Sequence, residues 1–139
     1  YAPSLGVMRQ FEKFLEEIKM RKGNCGGYLE LKTGDKYKGE FAYLPGKGSF
    51  MHGYGEYKWS SGDSYEGYLH YNKKQGLGKF KYSNGDVYVG PFKNNRKQGV
   101  GLYEKKCGTT FLCTYERDKL MKHEVVERLD ILTNLAIMV

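Results

Sequence analysis

Residues 62–84 read GDSYEGYLHYNKKQGLGKFKYSN and residues 85–107 read GDVYVGPFKNNRKQGVGLYEKKC, one pattern written twice at a spacing of 23 residues. Superposed, the copies place Gly on Gly at 62/85, 67/90, 76/99 and 78/101, Asp63 on Asp86, Tyr65 on Tyr88, and Phe80 on Tyr103. Run backwards, the pattern finds Gly34, Asp35, Tyr37, Gly39, Phe41, Gly53, Gly55 and Tyr57, with five extra residues between Phe41 and Gly53. That insert, Ala42 to Met51, is expected to be a loop. Gly27 and Leu29 before, and Phe111, Cys113 and Tyr115 after, are partial copies. The chain therefore divides into a segment 1–23, a repeat array 24–115, and a segment 116–139. Within the array, half repeats 25–33 and 108–115 flank full repeats 34–61, 62–84 and 85–107, the atypical ends expected of a stacked array that must be capped.

Within a copy, Asp63–Leu69 and Gly76–Tyr82 alternate with the period of a strand, so each repeat is expected to be a β-hairpin. Tyr65, Gly67, Leu69, Gly76, Gly78, Phe80 and Tyr82 fall on one face; Ser64, Glu66, Lys79 and Lys81 fall on the other. Glycine is a poor strand former, and its regular return suggests that rings from neighbouring strands lie over bare backbone. The repeated positions Tyr37, Gly39, Gly55, Tyr57, Tyr65, Gly67, Gly78, Phe80, Tyr88, Gly90, Gly101 and Tyr103 are the candidates for that packing. Asn84-Gly85 suits a two-residue type I′ turn, with Ser61-Gly62 and Thr33-Gly34 as weaker versions. Isolated hairpins of this length are marginal, so the copies should stack into a mainly β, elongated, single-layer antiparallel meander with an amphipathic α-helix at each end.

The motif G-D-x-Y-x-G-x-F/L followed by x-G-x-G-x-F/Y resembles the MORN repeat (membrane occupation and recognition nexus) from Gly27 to Tyr115. The insert, Pro91 directly after Gly90, and Cys25 and Cys113 at glycine positions depart from the pattern. The resemblance implies a non-catalytic module of the kind found in radial-spoke and other ciliary or cytoskeletal proteins. It also implies junctional membrane proteins, neighbours of lipid kinases, and a histone methyltransferase as settings. A fold shared so widely transfers architecture and not a partner.

The N-terminal helix is predicted over 4–21, with Met8, Phe11, Phe14/Leu15 and Ile18 on one stripe. It is expected to cap the first hairpin or to dock on another protein. A second helix is expected from Lys119 onward, capped by Asp118, with Met121, Val125, Leu129, Leu132 and Ala136 along one side. Its end, Ile131 to Val139, is apolar all round, so Leu129, Leu132, Leu135, Ile137 and Met138 are candidates to meet a partner chain or a second copy. The sequence offers no run of about 18 apolar residues to cross a membrane and no secretory signal, which predicts a cytoplasmic protein. Tyr1 without an initiating Met points to a fragment or processed product. Cys25, Cys107 and Cys113 form no C-x-x-C pair and are expected to be reduced, with a Cys107–Cys113 bridge conceivable across the last turn.

At 139 residues, 40% hydrophobic and 28% charged, the composition is that of one globular domain. Its three histidines, His52, His70 and His123, belong to no HExxH motif, and neither a nucleophile elbow nor a phosphate loop occurs; Asp35, Asp63 and Asp86 recur in the repeat. No catalytic residue, metal ligand or cofactor is assigned. The GxG pairs lead into strands, whereas a phosphate cradle leads into a helix. Charge is the remaining signal. Residues 24–115 carry 14 Lys and Arg against 8 Asp and Glu, +6 of the formal +7. Lys36, Lys38, Lys58, Lys79 and Lys81 are placed opposite the rings, and Lys73, Lys74, Lys93, Arg96 and Lys97 in loops between paired strands. Such a surface suits other proteins of a multi-subunit assembly, including acidic ones such as tubulin tails, or an anionic lipid headgroup (phosphoinositide or phosphatidylserine). Nucleic acid is disfavoured, because the rings are committed to packing. A structural adaptor in a ciliary axonemal or cytoskeletal assembly is the first expectation, and a peripheral lipid-binding module the alternative.

Overall fold

The computed structural model describes residues 5–21 and 26–126. Helix α1 (Leu5–Arg21) precedes ten strands: β1 (Gly27–Glu30), β2 (Lys36–Leu44), β3 (Gly48–Lys58), β4 (Ser64–His70), β5 (Lys73–Lys81), β6 (Val87–Lys93), β7 (Arg96–Lys97), β8 (Gly99–Glu104), β9 (Thr110–Glu116) and β10 (Lys119–Val126). They form one antiparallel sheet in chain order, with the short β7 pairing β6 beside β8. The expected meander is thus observed, and α1 is the one helix among the described residues.

The register places like on like. Tyr37 stands opposite Tyr57, Tyr57 opposite Tyr65, Tyr65 opposite Phe80, Phe80 opposite Tyr88, Tyr88 opposite Tyr103, and Tyr103 opposite Phe111. One step along, Gly27, Gly39, Gly55, Gly67, Gly78 and Gly90 pair in sequence, and Gly101 meets Cys113. Tyr37, Tyr65 and Tyr88 are each 0% exposed and head the main core cluster with Leu69, Phe92 and Tyr115. Since such a burial is worth roughly 1.5–3 kcal/mol per side chain, a one-layer sheet depends on these few rings.

Two kinds of turn alternate, and neither is the Asn84-Gly85 type I′ turn expected from the sequence. At 82–86 only Gly85 has positive φ (99°); its N–H donates to the Tyr82 carbonyl (2.9 Å), and the Tyr82 N–H donates to that of Asp86 (2.9 Å). This is a turn closed by one left-handed residue, where glycine is needed. The type I′ turns lie at the other end of the β4–β5, β6–β7 and β9–β10 hairpins, at Tyr71-Asn72, Asn94-Asn95 and Arg117-Asp118, where both residues have positive φ.

Two further expectations are corrected. The insert is no loop, because β2 and β3 run on as a hairpin arm pairing Phe41–Leu44 with Gly48–Met51, and Tyr43 on it is 70% exposed. Asp118 caps no helix; it ends a type I′ turn, and Lys119–Val126 forms strand β10. The reason is the open edge of β9, whose unpaired backbone groups β10 satisfies from Glu116 to Thr110. Leu129, Leu132, Leu135, Ile137 and Met138 lie outside the described residues, as does Cys25. Cys107 and Cys113 are free thiols, exposed and buried respectively, so no bridge joins them.

Helix α1 buries Met8, Phe11, Phe14 and Ile18, the stripe expected of it. It lies on the sheet face opposite the rings. Phe14 and Ile18 cluster with Tyr54, Tyr68, Leu77 and Val89, so the helix packs on residues of β3, β4, β5 and β6. The Tyr68 hydroxyl donates to Glu17 Oε2 at 2.6 Å. It is therefore a brace across repeats, not an end cap. No helix among the described residues is long and apolar enough to cross a membrane.

Candidate functional site

Each repeat presents the same polar machinery. In β2, β4 and β6 the ladder breaks just past the glycine, and the carbonyl there meets a tyrosine: Tyr37 donates to Glu40 O (2.7 Å), Tyr65 to Tyr68 O (2.7 Å) and Tyr88 to Pro91 O (3.3 Å). Burial of these hydroxyls raises the pKa of all three tyrosines. Pro91, a departure from the pattern, is accommodated where β7 and β8 part opposite β6, so no ladder donor is missed.

The glycine-closed turns are stapled by the repeated aspartate. Asp35 accepts from the Ser60 N–H (2.8 Å) and the Tyr57 hydroxyl (2.7 Å), and Asp86 from the Lys106 N–H (2.9 Å) and the Tyr103 hydroxyl (2.7 Å). Asp63 accepts from the Ser83 N–H (2.7 Å), but the tyrosine place is taken by Phe80. The Ser60 N–H and then Tyr57 hold Asp35 below the usual carboxylate range; Tyr103 and then the Lys106 N–H do so for Asp86. In return, Tyr57 is pushed up to about 12, chiefly by desolvation and then by Asp35. The type I′ turns are stapled in parallel. Asn72, Asn95 and Asp118 accept from the N–H of Met51, Lys74 and Lys97, while His52, Gln75 and Gln98 accept from that of Tyr71, Asn94 and Arg117.

Between these rows of staples the ring face carries a second aromatic line, only partly buried. Tyr57, Trp59, Phe80, Tyr82 and Tyr103 follow one another at centroid distances of 4.6, 5.4, 4.7 and 5.7 Å. Lys74 and Lys97 reach into it. The Lys74 Nζ lies 5.3 Å from the Phe80 ring centroid and 5.4 Å from that of Trp59, and the Lys97 Nζ lies 4.4 Å from that of Tyr115 and donates to the Tyr82 hydroxyl at 3.0 Å. Desolvation lowers the Lys74 pKa; Asp118 opposes this and Lys97 adds to it.

Periodic hairpins, a glycine floor under the tyrosines and aspartate-stapled turns are one repeating unit, and residues 47–64, 65–87 and 88–108 each match the family model of the MORN repeat. Residues 47–108 are a MORN-repeat array. The chain matches no curated protein. MORN repeats generally serve as protein- or membrane-interaction modules, which makes the surface of the array the candidate site.

The basic residues expected to form that surface separate into three groups. Lys36, Lys38, Lys58, Lys79 and Lys81 do face away from the rings, but Lys38 stands opposite Glu56 and Lys79 opposite Glu66, and Lys58 bonds Glu56 at 3.4 Å, so that face has mixed sign. Lys74 and Lys97 belong to the ring face. Lys73, Lys93 and Arg96 converge with Arg117 around a depression of about 570 Å³ that also includes Glu116. None of these lysines occupies a loop: they flank the two-residue turns at strand ends. Sequence reading missed Arg117, although its place repeats Asn94 and Tyr71 at the 23-residue period. It also missed Trp59 and the apolar patch of Tyr54, Tyr68, Leu77 and Val89, which becomes visible only when strands are aligned, whereas Tyr82 stands on the ring face as expected. Among the described residues no three His, Cys, Asp or Glu side chains gather as a metal site.

Proposed function

We propose that this MORN array is a non-catalytic adaptor that holds its place in a larger protein assembly through the ring face of its sheet. The supporting observation is the aromatic line from Tyr57 to Tyr103, which crosses the repeats and is only partly buried. The repeated acids contribute to this reading, since Asp35, Asp63 and Asp86 are engaged in holding turns and offer no general base. A ciliary axonemal or other cytoskeletal assembly is the setting implied by the family resemblance. Crosslinking followed by affinity capture of the full chain tests the proposal. A defined protein partner, lost when Trp59 and Tyr82 are replaced by serine, is the expected result; a folded chain that captures no protein would overturn it.

The convergence of Lys73, Lys93, Arg96 and Arg117 favours a second reading, a peripheral module for anionic lipid. Sedimentation with phosphatidylserine or phosphoinositide vesicles separates the two. Binding that falls with salt and disappears on charge reversal of those four residues supports the lipid reading, and indifference to lipid removes it.

A further inference from the structure

Positions 51, 74 and 97 are one site repeated three times, each accepting and donating the same backbone bonds to Asn72, Asn95 and Asp118. The first carries Met, the others Lys. Met51 packs against the ring cluster as an ordinary apolar side chain, so the fold needs no charge here. Lys74 and Lys97 nevertheless place ammonium groups among the rings, and among the described residues neither has a carboxylate within 4.0 Å. Ring faces attract a cation but do not neutralise it, and the carboxylate that acts on Lys74, that of Asp118, lies beyond ion-pair distance and only partly offsets its desolvation. Beside Lys74 the ring face opens into a groove of about 390 Å³ lined by Met51, Trp59, Tyr65, Leu69 and Lys74.

We propose that this groove receives an acidic, amphipathic helix of a partner protein, whose carboxylates complete Lys74 and Lys97. The proposal rests on the adaptor reading and names the chemistry of the partner. Lys74 on β5 and Lys97 on β7 are separated by two inter-strand steps through β6, about 9.5 Å. An extended segment covers that distance in three residues, which puts the two side chains on opposite faces. A helix covers it in seven residues, about 10.5 Å, with both side chains on one face. The expected motif is therefore Asp or Glu at i and i+7 with apolar residues between them, lying against Trp59, Phe80 and Tyr82.

The test pans displayed random peptides of about 15 residues, four helical turns, against the full chain and reads binding by the emission of Trp59, the sole tryptophan. Recovered peptides should carry acids seven apart. They should shift the Trp59 emission and lose on the order of tenfold or more in affinity towards Lys74→Met. Exchanging the peptide's acid for its amide should cause the same loss, and the two changes together should add little. Lys74→Met copies the first repeat, so it should fold, as circular dichroism will verify. The proposal is overturned if no peptide is recovered, if recovered peptides lack acids or bind Lys74→Met equally, or if only phosphatidylserine vesicles move the emission. If the peptides fail while affinity capture still yields a partner, the groove is wrong and the adaptor reading stands; an empty capture removes the adaptor reading itself.

Discussion

The hydroxyl of Tyr65 lies 2.5 Å from where a Cβ on Gly78 would be, and the same ring closes over Gly67 on its own strand. Tyr37 holds this relation to Gly39 and Gly55, and Tyr88 to Gly90 and Gly101. Each tyrosine thus joins two adjacent strands by filling the space of two absent side chains, and its hydroxyl donates to a carbonyl at the break in the ladder; the one Tyr88 meets, that of Pro91, also accepts from the Gln98 N–H. Repeat period, strand pairing and core are one arrangement.

Gly101→Ala should destabilise the chain by roughly 1–3 kcal/mol, because a methyl group there meets the Tyr88 ring and hydroxyl. Gly6→Ala in α1 meets nothing within 4 Å and should gain up to about 1 kcal/mol. Urea unfolding of the two variants provides the comparison, and equal shifts would mean that glycine propensity, not the ring, sets the requirement.

Phe80→Tyr should stabilise the chain by about 1 kcal/mol. It restores at Asp63 the hydroxyl that Tyr57 and Tyr103 supply to Asp35 and Asp86. Asp63→Asn should weaken that gain, and Asp86→Asn should lower the thermal midpoint more than Asp63→Asn in the unmodified chain.

Stability should fall on both sides of neutrality, for opposite reasons. Asp35 and Asp86 have pKa values below their unfolded range, so their contribution is present above that range and is lost as pH drops through the folded values. Tyr57 titrates at about 12 and Tyr37, Tyr65, Tyr88, Tyr103 and Tyr115 are also raised. Their contribution is complete below the unfolded value of about 10 and is lost above it, because the unfolded chain ionises first. The alkaline arm should be the steeper, as the buried rings are in the core and the two aspartates are exposed. Tyrosinate absorbance rising together with loss of sheet signal above pH of about 10 is the expected observation; ionisation well before unfolding would contradict it.

Phe14→Ala should cost about 3 kcal/mol, as for a large ring removed from a core, and Tyr68→Phe about 1.5 kcal/mol through its bond to Glu17. Hydrogen exchange should quicken in β5 near Leu77 in the first variant. Unchanged stability in both would mean that α1 does not brace the sheet.

The hairpin period, the glycine positions and the ring face were legible because the pattern repeats three times and alternates with period 2. The turns were not. Tyr71-Asn72 and Arg117-Asp118 lack glycine, and their left-handed backbone is sustained by bonds from Asn72 and Asp118 to the preceding hairpin, which no local sequence window contains. β10 was misread because Met121 and Val125 satisfy a helical spacing; pairing with β9 outweighs that preference. The destinations of Lys74 and Lys73, adjacent in sequence, differ because alternate residues of a strand face opposite sides, and the strand begins at Lys73, three residues before the Gly76 start expected from the sequence.

The double-mutant cycle of Tyr65→Leu with Gly78→Ala tests the ring-on-glycine arrangement most directly. The Gly78 substitution should cost roughly 1–3 kcal/mol in the unmodified chain and close to nothing once Tyr65 is replaced, because the atoms it would strike are gone. An equal cost in both backgrounds would contradict it.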